Sequence, residues 1–304
     1  MNLKKGLSSI FPVLDSDKRK LNVINSVMES AQKNHDVINI HRHDVNNVGD
    51  YYCAPHLYFE VLKDKYLDIS DFRSISKKRR NNWVENISND SLIIGGGGLL
   101  NLRHFEMQMK LFEQLSVDGK KTVIWGAGHN EIKSKNTGAF TNYNVDIKKF
   151  GLAGTRDFSM KNEWVPCVSC LHPIFDKKFK TTQEIGILFG KVSTKNKKLQ
   201  NKLNHFPVSS NTTSLDEMVS FIGKSNTIVT DSYHAMYWAI LLGKKTVVIP
   251  TTSKFYDFKY PPVIASFDNF ESKLKEAQSY SGVLEECREI NNIFAIKVFD
   301  FLNL

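Results

Sequence analysis

Disulfide chemistry is the first thing this sequence is short of. Its 304 residues hold four cysteines, two of them in Cys167-Val-Ser-Cys170, and these do not make a disulfide framework. A second metal-ligating pair to accompany that Cys-x-x-Cys is also missing, so the spacing reads as coincidental and no metal is expected. The longest apolar run, Ala235 to Leu242, falls far short of the ~20 residues that cross a bilayer. The N-terminus lacks a sustained apolar stretch and a small-residue cleavage site, and the expectation is a cytoplasmic chain without a secretory leader. Zinc-finger spacing, an RNA-binding signature and a long basic helix are absent, which argues against nucleic acid as a partner. The glycine run Gly95 to Gly98 is followed by neither the third glycine of Gly-x-Gly-x-x-Gly nor Gly-Lys-Ser/Thr, and Gly223-Lys224-Ser225 has Met218 where a Walker loop needs its first glycine, which excludes a Walker nucleotide site.

What is present is ordinary globular composition, 41% hydrophobic and 24% charged, in a chain long enough for one large or two ordinary α/β domains without covalent staples. Lys and Arg number 41 against 32 Asp and Glu, a formal charge of +9 that favours acidic partners: phosphorylated substrates, nucleic acid or an anionic membrane surface. The basic residues come in short clusters, Lys77 to Arg80 and Lys191 to Lys198.

The hydrophobic pattern predicts alternating strands and helices. After an amphipathic stretch, Leu21 to Gln32, strands are expected at Asp36–His41, Ser91–Ile94 and Lys121–Trp125, with a helix-like run through Leu57 and Leu62 and a helical segment at Leu99–Leu115. The pattern repeats with strands at Glu184–Phe189, Asn226–Thr230 and Lys244–Ile249, and a helix over Ser232–Leu242 that Gly243 stops. Continuous apolar strands between helices indicate parallel sheets covered on both faces. Two such sets, separated by the irregular stretch Asp157–Thr182, predict an α/β fold of two Rossmann-like domains facing across a cleft. Ligands then bind beyond the carboxyl ends of the strands.

Each candidate motif falls at such a strand end. Gly95 to Gly98 is expected to open a helix, where free N–H groups attract anions and Gly96 and Gly97 admit a ligand to the backbone. Asn47-Val-Gly49-Asp50 follows the first strand; Asn and Asp suit a helix cap, and Asp50 could take hydrogen bonds from, or act as a base towards, sugar hydroxyls. Gly126-Ala-Gly128-His129 is expected to turn and point His129 into the cleft. Thr230-Asp-Ser-Tyr-His234 carries the sharpest signal. With Ser232 or Asp231 as cap, His234 lies in the first helical turn, where its pKa falls and its protonated form becomes a stronger acid. Arg156, beside Asp157, could clamp a carboxylate or phosphate, or make an ordinary surface pair, and Lys254 could add a point charge.

Taken in order, Asn47-x-Gly-Asp50, Ile93-Ile-Gly-Gly-Gly-Gly98, Trp125-Gly-Ala-Gly128, Arg156-Asp157 and Thr230-Asp-Ser-Tyr-His-Ala235, followed by Ala239, Gly243 and Lys254, resemble the polysaccharide pyruvyl transferase family. The likeness spans about residues 37 to 260. It implies a GT-B-like fold, with residues 1–155 as an acceptor-side domain, 156–304 as a donor-side domain, and a C-terminal helix packing back on the first. It also implies transfer of the pyruvyl group of phosphoenolpyruvate onto two hydroxyls of a glycan or lipid-linked sugar, forming a pyruvate ketal and releasing phosphate, in bacterial capsule or exopolysaccharide biosynthesis.

By this resemblance His234 is the general acid and Arg156 binds the donor, with Ser232, Tyr233, His129, Lys254, Gly96 and Gly97. Asn47, Gly49 and Asp50 belong to the acceptor side. Phosphoenolpyruvate is a co-substrate and no cofactor is required. The chain departs from the family pattern at Ser232, which stands where an arginine often does, so Arg156, Lys254 or His129 must balance the donor's charge. It departs again at Pro166–Pro173, which replaces a typical Asp-Pro segment. The basic surface suits peripheral contact with an anionic membrane. The rival readings are a glycosyltransferase using a nucleotide sugar and a non-catalytic glycan-binding relative.

Overall fold

The computed structural model describes residues 16–132, 142–160 and 162–304; the stretch read for a leader, residues 1–15, lies outside them. Helix α1 (Ser16–Glu29) leads into β1 (Val37–His41), the short helix α2 (Val48–Tyr52), β2 (Tyr66–Asp68), α3 (Lys77–Asn89), β3 (Ser91–Ile94), β4 (Gly97–Leu100), α4 (Glu106–Val117), β5 (Thr122–His129), β6 (Leu152–Thr155) and β7 (Glu163–Trp164). These strands form one parallel sheet in the order β2-β1-β3-β5-β6-β7, with β4 paired to β5. There follow β8 (Gln183–Phe189), α5 (Lys197–Lys202), β9 (Val208–Ser210), α6 (Leu215–Lys224), β10 (Ser225–Thr230), α7 (Tyr233–Leu241), β11 (Lys245–Val248), β12 (Val263–Ile264), α8 (Phe270–Lys273) and α9 (Val283–Leu302). Their strands make a second parallel sheet, β12-β11-β10-β8-β9. The α/β class with parallel sheets is the one the sequence pattern requires.

Both sheets are buried on both faces, which is why their strands read as unbroken apolar runs. Ile38, Ile40, Leu92, Ile94 and Ile124 face a core closed by Val27 of α1, Trp83 and Ile87 of α3, and Met109 and Phe112 of α4. The alternate residues Val37, Ile93, Val123 and Trp125 meet Phe294, Val298 and Leu302 of α9. The second sheet sets Leu188, Ile228 and Val248 against α6 and α7, and Ile187, Phe189, Val229 and Val247 against Leu203 and Phe270. All nine residues of α7 are buried, so this helix is apolar all round because it is central.

Three expectations need correction. The run through Leu57 and Leu62 is two single 3₁₀ turns, Pro55–Leu57 and Glu60–Leu62, set off by Pro55. The glycine run does not open a helix: Gly97 to Leu100 is β4, and α4 begins only at Glu106, after a 3₁₀ turn at Arg103–Phe105. Four glycines and two leucines fit a strand as well as a helix start, and pairing with β5 decides between them. Strand β5 likewise continues through Gly126, where φ is +63° and the pairing with β6 shifts register, and through Gly128 to His129 without ending in a turn. Gly128 serves packing instead: a Cβ there would lie 2.5 Å from Asp157 Oδ1 and 2.7 Å from Arg156 Cγ.

Candidate active site

The carboxyl ends of strands from both sheets surround a cavity of about 290 Å³. From the first sheet come Arg42 after β1, Asn47, Asp50 and Cys53 on and beside α2, Gly96 between β3 and β4, Gly97 and Gly98 at the start of β4, and Arg156 after β6. The second contributes Gly190 to Ser193 after β8, Asp231 to His234 where β10 enters α7, and Lys254 beyond β11. A cavity of this size suits a small ligand.

Arg156 dominates its electrostatics. The sequence left open an ordinary surface pair with Asp157, but the residue is 1% exposed. Its guanidinium lies 4.0 Å from the centre of the Tyr233 ring, a cation–π contact that fixes the plane of the fork. Nε and Nη2 have no hydrogen-bond partner among the described residues. A buried charge with unused donors is costly, and an anion bound in the cavity would supply what is missing. Lys254 lies at the same cavity, its pKa pushed down to about 8 by burial and by repulsion from Arg156.

His234 is buried in the first turn of α7. Burial, then Arg156, then Lys254 hold its pKa well below the usual histidine value, so the imidazole is neutral without a ligand. The direction is the one expected from the helix N-terminus, but desolvation is the main cause. The capping argument itself needs correction: Ser232 is the N-cap residue, yet its side chain makes no capping bond. Asp231 turns away from the helix and accepts hydrogen bonds from Gly190 N and Ser193 Oγ, both at 2.5 Å. That bond set ties the loop after β8 to the start of α7. Lys191 on the same loop reaches Asp44 at 2.8 Å and so links the two sheets at the cavity mouth.

Asp50 lines the cavity but is not free. Its carboxylate accepts from Asn47 Nδ2 at 2.8 Å and lies 3.4 Å from Arg42 Nη1. Asn47 is the N-cap position of α2 without a side-chain cap bond; its Oδ1 accepts from Asn211 Nδ2 at 3.1 Å. Gly96 and Gly97 also line the cavity, the first pressed on Cys53, whose carbonyl accepts its N–H at 3.0 Å. Their contribution is close backbone approach and not the helix terminus the sequence suggested. Gly49 sits behind them, against the His234 ring.

His129 is not among the lining residues. Its backbone N–H is accepted by Asp157 Oδ2 at 2.7 Å, its Nδ1 meets Ser253 Oγ at 2.6 Å, and Nε2 lies 3.7 Å from Asp157 Oδ1 and 3.4 Å from Asp257 Oδ2. These contacts make a buried clasp between the end of β5 and the segment after β11. His129, Asp157 and Asp257 are also the group among the described residues whose donor atoms, all within 4.8 Å of one another, could hold a metal ion. Distance along the chain hid this group from sequence inspection.

Sequence reasoning missed Arg42, Lys191, Cys53 and Asn211. Arg42 and Lys191 follow β1 and β8 as closely as the chosen residues follow their own strands, so the same strand-end rule would have found both. Cys167 was set aside with Cys170 as coincidental. Both are buried free thiols, and Cys167 Sγ is 3.7 Å from His234 Nε2.

Fold and cavity together define an α/β protein of two parallel sheets whose strand ends surround a small cationic pocket with a buried histidine. The chain belongs to the polysaccharide pyruvyl transferase family, whose family model matches residues 31–253, and is a transferase acting on a polysaccharide. The match takes in Asp50, Arg156 and His234 and ends one residue before Lys254. A search of curated proteins returns no match. Among solved structures, an α-glucosyltransferase in complex with UDP and a 13-mer DNA is similar at 10% identity and a TM-score of 0.42, over 88% of this chain and 95% of that one. No helix among the described residues is long and apolar enough to cross a membrane.

Proposed function

We propose that this protein transfers the pyruvyl group of phosphoenolpyruvate onto two hydroxyls of a glycan or lipid-linked sugar, forming a pyruvate ketal and releasing phosphate in the biosynthesis of a bacterial surface polysaccharide. The observation that carries this reading is the buried Arg156 guanidinium, with unused Nε and Nη2 donors beside a neutral, buried His234. Phosphoenolpyruvate brings a carboxylate and a phosphate, and Arg156 with Lys254 offers two cations where Ser232 replaces an arginine.

Binding of the anion offsets the repulsion that Arg156 and Lys254 exert on His234, so the imidazole can take up a proton. His234 then gives a proton to the methylene carbon, the C=C electron pair forming the new C–H bond and leaving C2 oxocarbenium-like. One sugar hydroxyl adds to C2 and loses its proton. Phosphate leaves with the C–O bonding pair, and the second hydroxyl adds and loses its proton to close the ketal. Arg156 stabilises the departing phosphate. Asp50, held by Asn47 and Arg42, orients the acceptor hydroxyl. No cofactor enters the scheme. A lipid-linked acceptor would bring the basic protein to the anionic inner face of the membrane.

The test is thermal stability against phosphoenolpyruvate, with nucleotide sugars in parallel, for wild type and Arg156→Ala. A ligand at ~100 times its dissociation constant stabilises by about 2.7 kcal/mol. Stabilisation by phosphoenolpyruvate that the variant loses is the expected result. Stabilisation by nucleotide sugars alone would overturn it in favour of glycosyl transfer.

A further inference from the structure

The indole Nε1–H of Trp238 can donate a hydrogen bond but not accept one. It donates to Ser169 Oγ at 2.9 Å. Ser169 Oγ lies 3.2 Å from Cys167 Sγ, and that sulfur lies 3.7 Å from His234 Nε2. All four residues are buried. With a pure donor at one end, one direction uses every hydrogen: Trp238 to Ser169, Ser169 to Cys167, Cys167 to His234. In the reverse direction Ser169 would accept from both sides, and its own hydrogen would be buried with nothing to bond, a cost of roughly 1–3 kcal/mol. The carbonyl of Cys167 accepts from Tyr237 OH at 2.8 Å, which pins the cysteine to the helix that carries His234.

We propose that Cys167 is a positioning residue for His234: its thiol hydrogen occupies Nε2 and so fixes the neutral imidazole as the Nδ1–H tautomer. The opposite edge then carries the proton. That edge packs beside Gly49, where a Cβ would lie 2.2 Å from Nδ1, so only a residue without a side chain fits against it, while His234 itself lines the cavity. The role in proton transfer rests on the function proposed above; the tautomer does not. As the anion binds, a second proton taken up from solvent enters at Nε2, with the thiol hydrogen turning so that sulfur becomes the acceptor. The proton given to the methylene carbon leaves Nδ1 as the C–H bond forms, and the imidazole ends neutral.

The test is the imidazole nitrogen–proton spectrum of the full chain labelled with ¹⁵N-histidine, with His234 assigned by its loss in His234→Gln. Nδ1 protonated and Nε2 unprotonated in wild type, retained in Cys167→Ser and lost or mixed in Cys167→Ala, is the expected result. An Nε2–H tautomer in wild type, or an unchanged tautomer in Cys167→Ala, overturns the proposal. Because the wild-type spectrum alone decides the tautomer, failure of Cys167→Ala to fold does not remove the test. Phosphate release from phosphoenolpyruvate should fall on the order of 10²-fold in Cys167→Ala and only a few-fold in Cys167→Ser, with donor affinity unchanged in both. If the wild type releases no phosphate while its tautomer is Nδ1–H and is lost in Cys167→Ala, the proposed reaction fails and the positioning role of Cys167 stands.

Discussion

Gly49 and His234 meet so closely that no side chain fits between them: a Cβ on Gly49 would lie 2.2 Å from the imidazole Nδ1 and 2.4 Å from its Cγ. The glycine belongs to α2, from the first sheet's side, and the histidine to α7, from the second's. Their contact brings the proposed acceptor-side motif and the proposed acid together.

Gly49→Ala should therefore displace the His234 ring while both sheets remain folded. Misplacement by about 1 Å costs on the order of 10² in rate. Phosphate release should fall by about that factor, with far-ultraviolet circular dichroism unchanged. A variant with wild-type turnover would show that the ring is free to move without consequence.

Arg156→Met should separate stability from binding. Replacing a buried guanidinium with unused donors by an apolar side chain of similar length is expected to leave the unliganded protein as stable as wild type, or more stable by about 1–2 kcal/mol. The stabilising effect of phosphoenolpyruvate should vanish. Chemical denaturation with and without the ligand measures both, and a large loss of stability in the unliganded variant would mean that the arginine is structural.

His41 should make the fold acid-sensitive. It is buried between His43, His56 and Tyr66, and burial first, then His56 and His43, lower its pKa from 6.5 to about 3. Below pH 6.5 the unfolded chain takes up a proton that the folded chain refuses. This contribution is thus complete above pH 6.5 and is lost as pH falls towards 3. At pH 4.5 the deficit from this residue is roughly 2–3 kcal/mol. His41→Leu should reduce the difference in unfolding free energy between pH 7 and pH 4.5 by about that amount; an unchanged difference would remove His41 as the cause.

Gly128→Ala should destabilise the protein by about 1–3 kcal/mol, because the added methyl overlaps the side chains of Asp157 and Arg156. Donor binding should weaken with it. A variant of full stability would mean that those side chains can shift freely.

Strand β3 is visible in the sequence to its very ends, Ser91 and Ile94, and β1, β8, β10 and α7 nearly so. Strands buried on both faces leave an apolar run that needs no context to interpret. The glycine run after β3 does need context, because only pairing with β5 makes Gly97–Leu100 a strand. The depth of Arg156 was equally hidden: Arg-Asp reads the same at a surface and in a core, and the cover over it comes from Gly128 and Tyr233. Cys167, Ser169 and Trp238 carry no pattern along the chain, since a hydrogen-bond chain between the Cys167–Leu171 turn and α7 exists only after the two pack.

Helix α9 lies against Val37, Ile93, Val123 and Trp125 of the first sheet, where Asn291 Oδ1 accepts the Trp125 indole N–H at 3.0 Å. Synthesis runs from the N-terminus, so the first sheet emerges from the ribosome long before the helix that covers one of its faces. Until then that apolar face stays open to solvent, to chaperones and to other nascent chains. A message cut short before residue 283 would yield every residue that lines the cavity and still leave the protein prone to clumping.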